Sequence, residues 1–293
     1  MEYFIENDRL KVGSVAKGAE LSTVIRKSDG REMLWQGGEL WSRKSPLLFP
    51  VVGNLKGGKL TVDGKDYTMP AHGFARDSEF DLIKQDKTSV TYRLLSSEQT
   101  QEVYPYEFEL YVTYTLIGSC LDVNFEVENP SGSPIYFSIG GHPAFNCNSA
   151  EGSFGDWYIE FEQPETAGRY FKRGLLSDKP GEFLDGAKVL KLSGSLFEND
   201  ALVFKDIKSE YVSLKNIEDD TDIRVYIKDF PVLVLWSKGD RFVCIEPCEG
   251  CDDAESFDGD ITKKQFIVRL APGETYDKSY RIRIKGGEAE VSE

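Results

Sequence analysis

Histidine is scarce in this chain, with two in 293 residues, so any imidazole proton chemistry must use His72 or His142. Long apolar runs are missing too. No stretch approaches the roughly 18 residues that mark a membrane span, which excludes a helical membrane protein and gives no reason to expect a membrane partner. The first residues, Met1-Glu2-Tyr3-Phe4-Ile5-Glu6-Asn7, lack the basic segment and apolar core of an export signal, so a cytoplasmic location is expected. Basic charge is in deficit: 35 Lys and Arg face 50 Asp and Glu, a net −15. That field repels phosphate backbones and anionic lipid, so nucleic acid is not an expected partner. A neutral ligand suits it, whereas an anionic one needs a local basic pocket. Cysteines number five, an odd count that argues against a disulfide framework in a chain without an export signal. No glycine-rich phosphate loop leads into a helix, and no Gly-x-Ser-x-Gly elbow is present. Helical periodicity is nearly absent; one short turn is expected from Ser97 to just before Pro105.

What is present is alternation. Val, Ile, Tyr, Phe and Thr fill runs at 10–15, 21–26, 89–95, 107–116, 121–128, 136–139, 222–226, 232–236, 242–246, 265–270 and 276–284. Asp63-Gly64 and Gly118-Ser119 each join two such runs as hairpin turns. The reading is an all-β protein, a sandwich or barrel, with no repeat of fixed period that would make a propeller. No linker divides the chain, so 1–285 is expected to form a single domain and 286–293 an acidic tail. Segments 146–155 and 163–186 are expected to be long loops, of the kind that form lids and rims.

Both histidines sit among backbone-shaping residues: Met69-Pro70-Ala71-His72-Gly73-Phe74-Ala75-Arg76 and Ser138-Ile139-Gly140-Gly141-His142-Pro143-Ala144-Phe145-Asn146. The competing structural reading is a capped turn or a filled core gap. A third cluster, Phe242-Val243-Cys244-Ile245-Glu246-Pro247-Cys248-Glu249-Gly250, puts a carboxylate at an expected strand end before a proline, where backbone geometry is restricted. Its structural alternative is a turn cap or a lysine pair. Cys244-x3-Cys248-x2-Cys251 has the spacing of an iron–sulfur motif, but Cys244 lies in a β run and no fourth ligand pair stands nearby. Reduced thiols are expected, one buried and two in a loop. Two histidines and a carboxylate suit a metal triad in kind, yet neither histidine has a His-x-His or His-x-Asp partner, so no metal is expected.

The clusters in this order resemble the aldose 1-epimerase (galactose mutarotase-like) family over almost the whole chain. Gly18-Ala19-Glu20-Leu21 and 30–35 look like that family's first strands. Leu48-Phe49-Pro50-Val51-Val52-Gly53-Asn54, Ala71-His72-Gly73-Phe74-Ala75-Arg76, Gly141-His142-Pro143-Ala144-Phe145 and Ile245-Glu246-Pro247 carry the likeness, which is strong because four pieces keep their order. Within the family the chain is most similar to the lactose-operon-associated and hexose-phosphate epimerase-like branch.

The resemblance implies a large antiparallel β-supersandwich with a sugar cleft, and a reaction that interconverts α and β anomers of an aldose without a cofactor. It implies Glu246 as the base at the anomeric hydroxyl, His142 as the acid at the ring oxygen and His72 as a hydrogen-bonding group beside them. Ring opening needs both an acid and a base, each typically supplying about 10²–10⁴-fold. Asp200 falls where the family places an aspartate that binds sugar hydroxyls, and Asn54 matches a family asparagine. The galactose enzymes have an arginine just after that asparagine; here Leu55 and Lys56 follow. Lys56 and Arg76 would then meet a phosphate or extra hydroxyls. Trp236 or Phe74 would stack on a sugar face, or be core. Two other functions remain open on sequence: a non-catalytic carbohydrate-binding protein on the same fold, and a metal-dependent β-sandwich enzyme. Oligomeric state is not legible.

Overall fold

The computed structural model describes residues 1–147, 153–170 and 174–285. Among them the regular secondary structure is almost entirely antiparallel β-sheet, as the alternation requires. The largest sheet has nine strands in the order Gly181–Lys191, Trp157–Arg169, Tyr211–Asn216, Asp222–Tyr226, Thr275–Ile284, Cys120–Glu128, Glu109–Ile117, Ser89–Leu95 and Asp81–Gln85. Its central strands bury every second residue, the pattern of a sheet with one face in the core and one toward water. A six-stranded sheet runs Leu202–Phe204, Val232–Trp236, Phe242–Glu249, Ile139–Gly141 and Leu47–Leu48, with Ala144–Asn146 also paired to Phe242–Glu249. Val243, Ile245, Leu233 and Leu235 of this sheet share one hydrophobic core with Val112, Val123, Phe125 and Ile282 of the larger one. The N-terminal strands Glu2–Glu6, Leu10–Val15, Leu21–Arg26 and Arg31–Glu32 form a four-stranded sheet whose Leu10, Val12, Leu21 and Val24 join the same core.

Local signals hold where they were specific. The hairpin of Lys59–Val62 and Lys65–Thr68 turns at Asp63 (φ 49°) and Gly64 (φ 77°), the two positive φ angles of a type I′ turn. The helix spans Glu98–Val103, and the Ser97 side chain accepts from the Thr100 N–H as an N-cap. No described helix is long and apolar enough to cross a membrane.

Two expectations are corrected. Segment 163–186 is not one long loop: 163–169 and 181–186 belong to the strands Trp157–Arg169 and Gly181–Lys191, which pair with several register shifts, while 171–173 lie outside the described residues. Pro164 and the polar residues around it read as a break. Instead the ladder shifts register between Glu160 and Glu165, and the buried Glu165 accepts from Ser209 N at 2.6 Å and Ser209 Oγ at 2.6 Å. Cys248 is not in a loop either; the strand continues through Pro247 to Glu249 and buries it. Of segment 146–155, residues 148–152 lie outside the described residues, as does the 286–293 tail.

Candidate active site

The strand Phe242–Glu249 is the spine of the site. Gly140 pairs with Cys248, and Ala144 pairs with Cys244. Continuing that register places His142 directly across from Glu246, although the ladder is interrupted at Pro143, which has no N–H to give. His142 Nε2 lies 3.3 Å from Glu246 Oε1. Successive strand residues point to opposite faces. Val243 and Ile245 therefore enter the main core, while Cys244 and Glu246 share the other face. On the neighbouring strand, Trp236 stands opposite Cys244 and Val234 opposite Glu246.

Glu246 is 2% exposed and His142 7%. Removing two ionisable groups from water costs on the order of several kcal/mol per ion, so stability alone is a poor reason to keep this pair inside. Aromatic rings enclose the histidine. Trp41 stacks on it at 5.0 Å between ring centroids and 27° between planes, and Trp236 meets it edge-on at 5.8 Å.

His72 completes the group, its ring centroid 5.7 Å from that of His142. Its backbone is unusual for a residue with a Cβ, with φ at 64°. The loop carrying Gly53 holds it there. His72 N donates to Gly53 O at 2.9 Å, and Gly53 N donates to His72 Nδ1 at 3.1 Å. With Nδ1 accepting, the imidazole proton belongs on Nε2, which makes His72 a hydrogen-bond donor there. Gly53 in turn sits against Asp252, whose Oδ1 accepts from Asn54 N at 2.6 Å. A Cβ on Gly53 would meet Asp252 Cγ at 2.3 Å, and φ is 76°, so only glycine fits. Asp253 adds the next tie: its carboxylate accepts from Lys56 N at 2.8 Å and pairs with the buried Lys264 ammonium.

The remaining candidate residues separate here. Asp200, with φ 70°, lines an open cleft of about 740 Å³ together with Trp236, Glu198, Lys238 and Asp240. Through Trp236 that cleft adjoins His142. Asn54 belongs to the loop that supports His72, and its backbone is held by Asp252 and Asp253. Arg76 lies in the turn Ala75–Asp77 and donates from Nη2 to Ala71 O at 2.7 Å, one residue before His72. Burial, and then the neighbouring Arg43, push the Arg76 pKa down. Lys56 is exposed, and its ammonium donates to Glu255 O and Phe257 O, each at 2.8 Å. Phe74 packs among Phe49, Tyr104 and Phe108 as part of an aromatic core.

Sequence reasoning missed Trp41, Arg43 and Asp252. Trp41 had one weak signal, a large aromatic in a Gly- and Ser-rich stretch with no strand alternation. Nothing local separates Asp252 from the other acidic residues.

Comparison with known proteins shows the family. A family model described as aldose 1-epimerase matches residues 1–283. Protein LacX, chromosomal, of Lactococcus lactis subsp. lactis is 33% identical over 294 residues, covering 96% of this chain and 98% of its own length. Galactose mutarotase of Homo sapiens is 26% identical over 173 residues, 51% of each chain. Among solved structures, a galactose mutarotase related enzyme from Lactobacillus acidophilus superposes with a TM-score of 0.94 at 34% identity, covering 99% of this chain and 100% of that one.

Proposed function

Because the chain belongs to the aldose 1-epimerase family, we propose that it interconverts the α and β anomers of an aldose or aldose phosphate by acid–base ring opening. One observation carries the reading: His142 Nε2 and Glu246 Oε1 stand 3.3 Å apart in a buried, aromatic-walled site with His72 beside them. The anomeric hydroxyl and the ring oxygen are bonded to the same carbon. An acid and a base this close reach both.

Glu246 takes the proton of the C1 hydroxyl while the protonated His142 gives its proton to the ring oxygen. The C1–O5 bond breaks and the open aldehyde forms. Rotation about C1–C2 presents the other carbonyl face. Glu246 then returns its proton to the C1 oxygen while His142 recovers one from the C5 hydroxyl, and the ring closes with inverted C1. Protons balance over the cycle, and no electrons or groups are transferred, so the step calls for no cofactor. His72, donating from Nε2, steadies charge on an anomeric or ring oxygen. Asp200 accepts hydrogen bonds from sugar hydroxyls, and Trp236 offers an apolar wall.

The substrate's charge is a second matter. The cleft at Asp200 sets Glu198, Asp200 and Asp240 against Lys238 and so repels phosphate. A phosphorylated sugar would have to turn its phosphate toward Arg76. Arg43 stands beside Arg76, donating to Arg76 O at 3.5 Å and to Asp77 at 2.9 Å. Lys56 is already engaged by two carbonyls and is the weaker candidate.

The test is NMR saturation transfer between anomers on a panel of aldoses and their 6-phosphates, with the buffer rate subtracted. Acceleration of one sugar class supports epimerase activity and identifies the substrate. Binding without acceleration of any sugar would replace the enzyme with a carbohydrate-binding protein.

A further inference from the structure

We propose that His142, Cys244 and Glu246 form a site for a thiophilic divalent cation of the Zn²⁺ class, and that a cation there shuts down sugar turnover. The binding claim stands on geometry alone; only the inhibition claim rests on the proposed acid and base roles.

The three side chains offer a ring nitrogen, a sulfur and a carboxylate oxygen within 4.8 Å of one another. Register explains why. Cys244 and Glu246 are two residues apart on one face of one strand, and His142 is the residue across from Glu246. Zinc binds nitrogen and oxygen at about 2.0–2.2 Å and sulfur at about 2.3 Å, so a tetrahedral N–O edge is about 3.4 Å. The 3.3 Å between His142 Nε2 and Glu246 Oε1 already has that length. A tetrahedral edge to sulfur is about 3.6 Å, so with all three atoms within 4.8 Å of one another the sulfur closes by at most about 1.2 Å to complete a face, a shift of the kind side chains make.

Three protein ligands leave a fourth position for water or a sugar oxygen, the arrangement of open zinc sites. The donor set selects the metal. Thiolate and imidazole suit Zn²⁺ and Co²⁺, while Mg²⁺ prefers an oxygen octahedron. The other cysteines of this segment do not compete, because Cys248 and Cys251 pack in a different cluster with Leu48, Val203 and Val232. At net −15 the chain attracts cations. On binding, the S–H proton and the proton that His142 carries as the acid both leave to solvent as the metal–sulfur and metal–nitrogen bonds form, with no change of oxidation state. The metal then occupies the His142 lone pair and a Glu246 oxygen, the two atoms assigned to proton transfer.

Titration of the full chain with Co²⁺, followed by Zn²⁺ competition, tests the site. Wild-type protein should show a thiolate-to-cobalt charge-transfer band that one equivalent of Zn²⁺ removes. Cys244→Ala and Cys244→Ser should both lose the band and bind Zn²⁺ at least ~10²-fold more weakly, a loss at the upper end of what even outer-shell changes cause. Where a turned-over sugar has been found, Zn²⁺ should inhibit wild type and spare Cys244→Ala over the same ~10²-fold range, and Mg²⁺ should inhibit neither. No band in wild type, a band that persists in Cys244→Ala, or equal binding of Mg²⁺ and Zn²⁺ would overturn the site. A band without any sugar turnover would keep the site and defeat the epimerase reading instead.

Discussion

The nine-stranded and six-stranded sheets share one core but follow opposite rules. In the larger sheet, Glu109–Ile117 and Cys120–Glu128 alternate between buried and half-exposed residues along nearly their full length. Their outer face carries pairs such as Thr91 and Thr113, whose hydroxyls are 3.0 Å apart, and Asp122 with Arg281. In the smaller sheet, Phe242–Glu249 is buried from Phe242 to Cys248, and Leu202–Phe204 throughout. One side of that sheet is apolar core; the other places Glu246 and Cys244 beside His142. Polar groups cover the large sheet because water accepts them at little cost. On the small one they are retained where water is largely absent, which costs stability and is expected at sites that do chemistry.

The sharpest way to break this contrast is to neutralise the buried pair. Glu246→Gln keeps shape and hydrogen bonding but removes basicity, so approach to anomeric equilibrium should slow by at least ~10²-fold with sugar affinity little changed. His142→Asn should match it, and the double variant should lose less than the sum, because the two groups act in one step. Full activity in Glu246→Gln would place the small sheet's buried carboxylate in the same class as the surface pairs.

Two glycines probe the same difference at the level of backbone. Gly53 and Gly118 both have positive φ, at 76° and 58°. Gly118 turns the hairpin of the large sheet and a Cβ there meets nothing within 4 Å, so Gly118→Ala should cost about 1 kcal/mol of strain and leave any turnover intact. Gly53→Ala adds a collision with Asp252 to that strain. It should lower the denaturation midpoint further and, by shifting the support of His72, reduce kcat/KM as well. Equal effects of the two substitutions in urea unfolding and in the sugar assay would show that the Gly53–Asp252 contact supports nothing.

The smallest effect is expected on the outer face of the large sheet. Asp122→Asn removes the partner of Arg281, which accounts first for the raised pKa of that guanidinium. The pair is partly exposed, so the loss should be below about 1 kcal/mol, shrink further at high salt and leave turnover untouched. Urea unfolding at low and high ionic strength reads it; a salt-independent loss of several kcal/mol would mean that this face is no ordinary solvated surface.

The legibility of the chain divides along the same line. Runs at 10–15, 21–26, 89–95, 222–226 and 232–236 coincide with observed strands because alternation and β-branching are local properties. Ser97 and Asp63-Gly64 mark their helix and turn for the same reason. Residues 163–186 misled because proline, glycine and polar residues also occur at bulges, where a ladder shifts register without ending. In the site, His72, His142 and Glu246 stood out through rarity and through the motifs around them. Trp41, Arg43 and Asp252 did not, since each matters only through what folding sets beside it.

By itself, then, the sequence determined an all-β chain of acidic surface, its turns, its family and the residue types available for proton transfer, because composition, periodicity and ordered motifs are written along the chain. Only the tertiary structure decided that His142 faces Glu246, that Cys244 joins them, that Gly53 fixes the His72 ring and that Lys56 is held by carbonyls elsewhere. The reason is strand register. A slip of one residue along Phe242–Glu249 would turn Glu246 into the apolar core, and that register depends on long-range pairing across the whole six-stranded sheet rather than on any segment of the chain.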